Sequence, residues 1–133
     1  MKALLIAWIL TILAIAANAQ SPVSVSGHAM IPDASATQNT SIRFELTGCD
    51  KGQARVPGVA VFSDYKKDFL VNSTTGAFSG TLYANAVIDC NGTLGATKYN
   101  VTVLYPNRRQ NSKTVCYVVG PGAFVLESAT PCS

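Results

Sequence analysis

The chain has 133 residues, of which 48% are hydrophobic and only 13% charged, and its formal net charge at pH 7 is +3. Its basic residues are spread along the chain, whereas nucleic-acid-binding proteins usually concentrate them in a stripe on one element. The composition therefore argues against a nucleic-acid partner.

The first nineteen residues have the pattern of a secretory signal peptide. Lys2 precedes an apolar run from Ala3 to Ala17, and Ala17-Asn18-Ala19 forms a small-x-small cleavage site. The run is short for a retained membrane anchor, which is the alternative interpretation. Removal of this 19-residue leader from the 133-residue chain leaves 114 residues, which is enough for one compact core. We expect residues 20–133 to form a single secreted domain, extracellular or periplasmic, with no membrane span.

The remainder of the chain alternates apolar and polar residues with a period of two, which is typical of half-buried strands. In Ser41–Thr47, the side chains of Ile42, Phe44 and Leu46 share one face. Glycine, proline and polar clusters separate the alternating segments and favour tight turns. The pattern predicts an all-β chain folded as a single antiparallel β-sandwich of about seven or eight strands. The other predicted strands are Val23–Met30, Val59–Phe62, Phe69–Asn72, Ala77–Tyr83, Tyr99–Val103, Thr114–Val119 and Ala123–Glu127.

Four cysteines follow the leader, and an exported chain meets an oxidising compartment that favours disulfides. They are Cys49, Cys90, Cys116 and Cys132. Four cysteines allow three connectivities, and the sequential one is favoured because Cys132 can attach the C-terminal tail to the strand carrying Cys116. A zinc site is the alternative, but no C-x-x-C pair exists and the single histidine, His28, is far from every cysteine in sequence.

Four short motifs follow one another along the chain: Val25-Ser26-Gly27-His28-Ala29, Val56-Pro57-Gly58-Val59-Ala60-Val61, Thr75-Gly76-Ala77-Phe78-Ser79-Gly80-Thr81-Leu82 and Tyr99-Asn100-Val101-Thr102-Val103. Their order resembles a prealbumin-like module of the carboxypeptidase regulatory-like and Cna-B-like type. Such modules occur in secreted bacterial proteins and phage tail fibres. The resemblance implies a non-catalytic Ig-like or prealbumin-like sandwich used for structure, adhesion or recognition. Lys98 and Asp68 do not lie in the isopeptide-forming context of Cna-B-like domains, so no crosslink is carried over.

The sequence offers little support for catalysis. A Ser-His-Asp set could be assembled from Ser26, His28 and Asp33, but no nucleophile elbow or oxyanion-hole motif accompanies it. The glycine-rich segment Gly120-Pro121-Gly122 is not followed by the Lys-Ser or Lys-Thr of a phosphate-binding loop. We therefore expect no catalytic residue, no cofactor and no metal ion.

Two polar loops each place a tyrosine beside cations, a mixture that is enriched at recognition sites. A solvated turn without a partner is the alternative interpretation. An acidic glycan or an acidic protein patch would suit these loops as a ligand. The candidate ligand-binding residues are Tyr65, Lys66, Lys67, Tyr105, Arg108 and Arg109.

These observations predict a non-catalytic extracellular structural or binding module, such as an adhesion, surface or fibre component. A secreted protein-binding inhibitor is the alternative, and a small secreted hydrolase is the competing class. Self-assembly by strand donation would use Ser21–Met30. Four N-x-Ser/Thr sequons, at Asn39, Asn72, Asn91 and Asn100, are glycan acceptors in a eukaryotic secretory host or chance matches in a chain rich in these residues.

Overall fold

The computed structural model describes residues 21–29, 40–49, 53–62, 65–105 and 113–132. The predicted leader, residues 1–19, lies outside these ranges. The described chain is all-β, and its helical segments are two 3₁₀ turns of three residues, Asn85–Val87 and Leu126–Ser128. No helix in the described ranges is long and apolar enough to cross a membrane. The strands are β1 (Val23–His28), β2 (Ser41–Thr47), β3 (Ala54–Val56), β4 (Ala60–Phe62), β5 (Lys66–Leu70), β6 (Ala77–Leu82), β7 (Asp89–Cys90), β8 (Thr93–Leu94), β9 (Lys98–Leu104), β10 (Val115–Tyr117) and β11 (Phe124–Val125).

The strands form three sheets. Sheet A has the order β11-β1-β6, sheet B has the order β10-β9-β2-β5, and sheet C has the order β4-β3-β7-β8. All neighbours are antiparallel except β1 and β11, which pair in parallel with Val25 opposite Phe124. The predicted antiparallel, all-β character is therefore confirmed for the described residues, with one parallel pair that the alternation pattern did not indicate.

The core lies between sheets A and B and is centred on Phe44 of β2, which is fully buried. Its ring centroid lies 5.6 Å from that of Phe69 in the same sheet, 6.1 Å from that of Phe78 and 6.0 Å from that of Phe124. Phe78 and Phe124 belong to sheet A, so aromatic contacts hold the two sheets together. Edge-to-face aromatic pairs contribute about 0.5–1.5 kcal/mol each beyond their area burial.

The strand that the alternation indicated most clearly, Ser41–Thr47, has the same bounds in the structure. By contrast, the strand predicted at Phe69–Asn72 is found at Lys66–Leu70, because β2 pairs with it from Glu45 opposite Lys66 to Ser41 opposite Leu70. The chain turns directly afterwards, where the Asn72 side-chain oxygen accepts hydrogen bonds from the backbone N–H groups of Thr74 and Thr75 at 2.8 and 3.0 Å. Asparagine in this role favours a turn over a continued strand.

Two disulfides join separate parts of the fold. Cys49, just after β2, pairs with Cys90 of β7, and Cys116 of β10 pairs with Cys132 in the C-terminal tail. This is the sequential connectivity of the three that four cysteines allow. The first disulfide links sheet B to sheet C, and the second fastens the tail to an edge of sheet B, where the Cys132 N–H also donates to the Cys116 carbonyl oxygen at 2.8 Å. Two disulfides fit an oxidising environment.

The segment proposed for strand donation, Ser21–Met30, supplies β1, while Met30 itself lies outside the described residues. β1 is the middle strand of sheet A, with β11 on one side and β6 on the other. Donating it to another subunit would break both ladders within the chain.

Candidate recognition surface

Tyr65 is held at one end of sheet B. Its carbonyl oxygen accepts a hydrogen bond from the Leu46 N–H at 2.8 Å, and its ring centroid lies 6.3 Å from that of the buried Tyr99. Burial raises the pKa of the Tyr65 hydroxyl, and the neighbouring Tyr83 raises it further. Tyr65 is thus packed against the core, which limits the area that it offers to a ligand.

Lys67 connects the edges of the two main sheets. Its ammonium group donates to the Thr81 carbonyl oxygen on β6 at 2.7 Å and lies 5.4 Å from the centroid of the Phe69 ring. Its sequence neighbour Lys66 is exposed, opposite Glu45 of β2. Of this pair, Lys67 is partly buried and contacts sheet A, and Lys66 is exposed.

The second predicted loop begins at the other end of sheet B. In β2, Ser41 pairs with Leu70 at the end of β5 and with Leu104 at the end of β9. Tyr105 follows Leu104, whereas Tyr65 precedes β5 at the opposite end, so the length of β2, about 20 Å, separates them. Arg108 and Arg109 lie outside the described residues. The structure does not bring Tyr65 and Tyr105 into one site.

Sheet C presents a different surface that the sequence did not reveal. Arg55 of β3 is opposite Val61 on one side and Asp89 on the other, and Asp89 is opposite Leu94. Because directly opposed residues share a face, these four side chains form one row across the sheet. Val61 is 62% exposed and Leu94 is 60% exposed.

Within this row, the exposed Arg55 forms an ion pair with the buried carboxylate of Asp89. The Arg55 Nε donates to the Asp89 Oδ2 at 3.0 Å, and the Arg55 side chain is 57% exposed whereas that of Asp89 is only 8% exposed. Within the described ranges, the other carboxylate oxygen, Asp89 Oδ1, is buried without a hydrogen-bond partner. A guanidinium has five N–H donors, and this bond uses only the one on Nε.

The β3–β4 turn extends the apolar part of the same surface. Gly58 has a φ of +77°, and the Val59 N–H donates to the Val56 carbonyl oxygen at 3.0 Å. Proline followed by glycine at the two central positions is typical of a type II turn, which requires a positive φ at the second. The turn leaves Val59 52% exposed beside a shallow cleft that Arg55 and Val61 also line. We call Arg55, Val59, Val61 and Leu94 the sheet C patch.

The single histidine lies elsewhere, on β1. Its Nδ1 is 3.1 Å from Glu127 Oε1, and its backbone N–H donates to the same carboxylate oxygen. The His28 and Glu127 side chains are both largely exposed, so the pair links β1 to the second 3₁₀ turn at the surface. The carboxylate beside His28 is therefore Glu127, and Asp33 lies outside the described residues.

Among the described residues, no group of three or more His, Cys, Asp or Glu side chains is placed to hold a metal ion.

Comparisons with protein-family models, with curated proteins and with solved structures find no match to this chain.

The sheet C patch escaped sequence reasoning because its parts are distant along the chain. Arg55 and Asp89 are 34 positions apart, and their strands are three and two residues long. The one local signal was the Val56-Pro57-Gly58-Val59 turn, which marks a hairpin without indicating what it faces.

Proposed function

We propose that the chain is a non-catalytic extracellular binding module that recognises a protein partner through the sheet C patch. The observation that carries this proposal is an exposed arginine fixed by a buried aspartate and flanked by exposed Val59, Val61 and Leu94. Arginine is enriched in interfaces, and binding energy there concentrates at anchors with apolar surroundings.

The chemistry of the patch favours a partner with an acidic group set in an apolar surface. A guanidinium pairs well with a carboxylate, the Arg55 side chain is 57% exposed, and exclusion of water by the neighbouring apolar side chains would strengthen such a bond. Fixing Arg55 through Asp89 before binding lowers the conformational entropy lost on association. The secreted location and the prealbumin-like arrangement of the sandwich belong to the same proposal, supported by the disulfides and the resemblance of the strand motifs.

Site-specific photo-crosslinking tests the proposal. A photoreactive amino acid replaces Val61 in one preparation and Leu70 in a control, since Leu70 is 77% exposed and lies on sheet B. Each protein is incubated with extracellular fluid and surface proteins from its source. We expect a discrete adduct from position 61 that the V61K/L94K protein competes away less well than wild type. Equal labelling from both positions, or none from position 61, would overturn the proposal.

A further inference from the structure

Three of the four N-x-Ser/Thr sequons lie in the described part of the chain, and they differ in their surroundings. We propose that Asn91 is an attachment site for an N-linked oligosaccharide. The inference rests on the extracellular location in the proposed function, because this modification takes place in a secretory compartment.

Asn91 occupies the tip of the β7–β8 hairpin. Cys90 and Thr93 pair across the ladder, and between them Asn91 and Gly92 have φ values of +52° and +88°. Two successive residues of positive φ define a type I′ turn, for which Asn-Gly is the preferred sequence. The tip therefore has a fixed backbone that projects from the sheet.

The space around this tip is open. Asn91, Gly92 and Thr93 are all exposed, and a Cβ added at Gly92 would meet no heavy atom within 4 Å. The sequon reads Asn-Gly-Thr, so the hydroxyl that the acceptor sequence needs is supplied by Thr93. A bulky, hydrated substituent on Asn91 is compatible with the folded state.

The other two described sequons differ from this hairpin tip. Asn72 is exposed as well, and its carboxamide oxygen accepts hydrogen bonds from two backbone N–H groups of its own turn, which fixes the orientation of the amide. Asn100 lies in the middle of sheet B, opposite Glu45 on one side and the disulfide-bonded Cys116 on the other, and is partly buried. A glycan on Asn100 would have to lie over the sheet and the adjacent disulfide.

The attachment is a group transfer from a lipid-linked oligosaccharide diphosphate. The Asn91 Nδ2 forms a bond to the anomeric carbon of the sugar, the bond between that carbon and the diphosphate oxygen breaks, and Nδ2 loses one proton. The lipid diphosphate is the leaving group.

A glycan on Asn91 would lie at one end of sheet C and would leave the opposite end, which carries Val59 of the sheet C patch, accessible. The β3–β4 turn follows Val56, whereas Ala54, at the opposite end of β3, pairs with Cys90 beside the glycan turn. The oligosaccharide therefore lies at the end of sheet C that carries the Cys49–Cys90 disulfide, away from Val59.

The test is expression of the full chain in a eukaryotic secretory host, with glycopeptide mass spectrometry of the protein recovered from the medium. We expect an oligosaccharide on Asn91 that disappears in Thr93→Ala and persists in Thr93→Ser, which keeps the hydroxyl. Thr93→Ala leaves both turn residues intact, so it separates loss of the acceptor from loss of folding. Asn91→Gln should lose the same modification.

Secreted wild-type protein with an unmodified Asn91 would overturn the glycan inference while leaving the extracellular binding module standing. A chain retained inside the cells would overturn the extracellular assignment and the glycan site together. Crosslinking from position 61 reports on the recognition surface independently of either result.

Discussion

The side chain and backbone of Asn85 bind both polar backbone groups of Val119. Asn85 Oδ1 accepts a hydrogen bond from the Val119 N–H at 2.8 Å, and the Asn85 N–H donates to the Val119 carbonyl oxygen at 2.9 Å. The Asn85 amide also donates to Thr97 Oγ1 at 3.0 Å, and all three residues are buried. This cluster fixes the segment by which the chain passes from β10 in sheet B to β11 in sheet A.

Replacing Thr97 with valine should destabilise the protein. The change removes the acceptor of the buried Asn85 amide, and an unsatisfied buried donor costs about 1–3 kcal/mol. Thr81→Val is the matched control, since Thr81 is exposed and its bond to Lys67 uses the backbone carbonyl, so its effect should stay within about 0.5 kcal/mol. Urea denaturation near neutral pH measures both. Equal midpoints for the two variants would show that the Asn85 cluster contributes little.

Gly80 should not tolerate a methyl group. A Cβ there would lie 2.2 Å from Phe69 Cε1, so the ring, which stacks on Phe78, would have to move. We expect Gly80→Ala to cost about 1–3 kcal/mol through overpacking. Gly122→Ala, with open space around it, should be close to neutral. Adding Phe69→Leu to Gly80→Ala should cost less than the sum of the single changes, and strict additivity would argue against this contact.

Lys67 should protect the free edge of sheet A. Its ammonium group donates a hydrogen bond to the Thr81 carbonyl oxygen on β6, the edge strand of sheet A. Unpaired backbone groups on a sheet edge can pair with another chain, and a lysine at the edge opposes this. Lys67→Met should cost about 1.5–3 kcal/mol, the value of a hydrogen bond to a charged group, and should increase self-association as concentration rises. Lys66→Met removes the same charge from an exposed position. Indistinguishable light-scattering profiles for the two variants would refute the protective role.

Tyr99 should make the fold sensitive to alkaline pH. Burial raises the pKa of its hydroxyl above the ordinary value, with a further contribution from Tyr65, and the hydroxyl donates to the Tyr83 carbonyl oxygen at 2.7 Å. In the unfolded chain the group ionises near pH 10. Above about pH 10 the unfolded state therefore loses a proton that the folded state keeps. The contribution of protonated Tyr99 to the free energy of unfolding is complete below about pH 10 and is lost as pH rises beyond it.

Tyr99→Phe should lower the free energy of unfolding by about 1 kcal/mol at neutral pH, because the hydrogen bond is lost. Above about pH 10 its stability should fall less steeply than that of wild type. Urea titrations across this range check the difference, and parallel curves for the two proteins would contradict the assignment.

Local patterning was sufficient where one strand has one buried face. In β2, the buried Ile42 and Phe44 alternate with the polar Arg43 and Glu45, and both strand ends were predicted correctly. The strands β3, β7 and β8, of two or three residues, were not predicted. The equally short β4, β10 and β11 were predicted because they lie within longer apolar segments. The ladder between β3 and β7 joins residues more than 30 positions apart, which local alternation cannot indicate.

In the candidate sites too, local sequence did not predict the features that depend on pairing between distant strands. Tyr65 and Lys67 were predicted to lie in a loop because charged residues surround them in sequence. In the structure β5 begins at Lys66, and its ladder with β2 fixes the positions of both residues. The links Arg55–Asp89 and His28–Glu127 span 34 and 99 positions, and local sequence carries no signal for either. Long-range pairs of this kind follow from the complete topology.

The parallel pairing of β1 with β11 joins the first described strand to the last. During synthesis, sheet A lacks a member until residue 125 has left the ribosome, and the non-local pairing then demands a large loop closure. Of the three described sheets, sheet A is therefore the last that an emerging chain can complete.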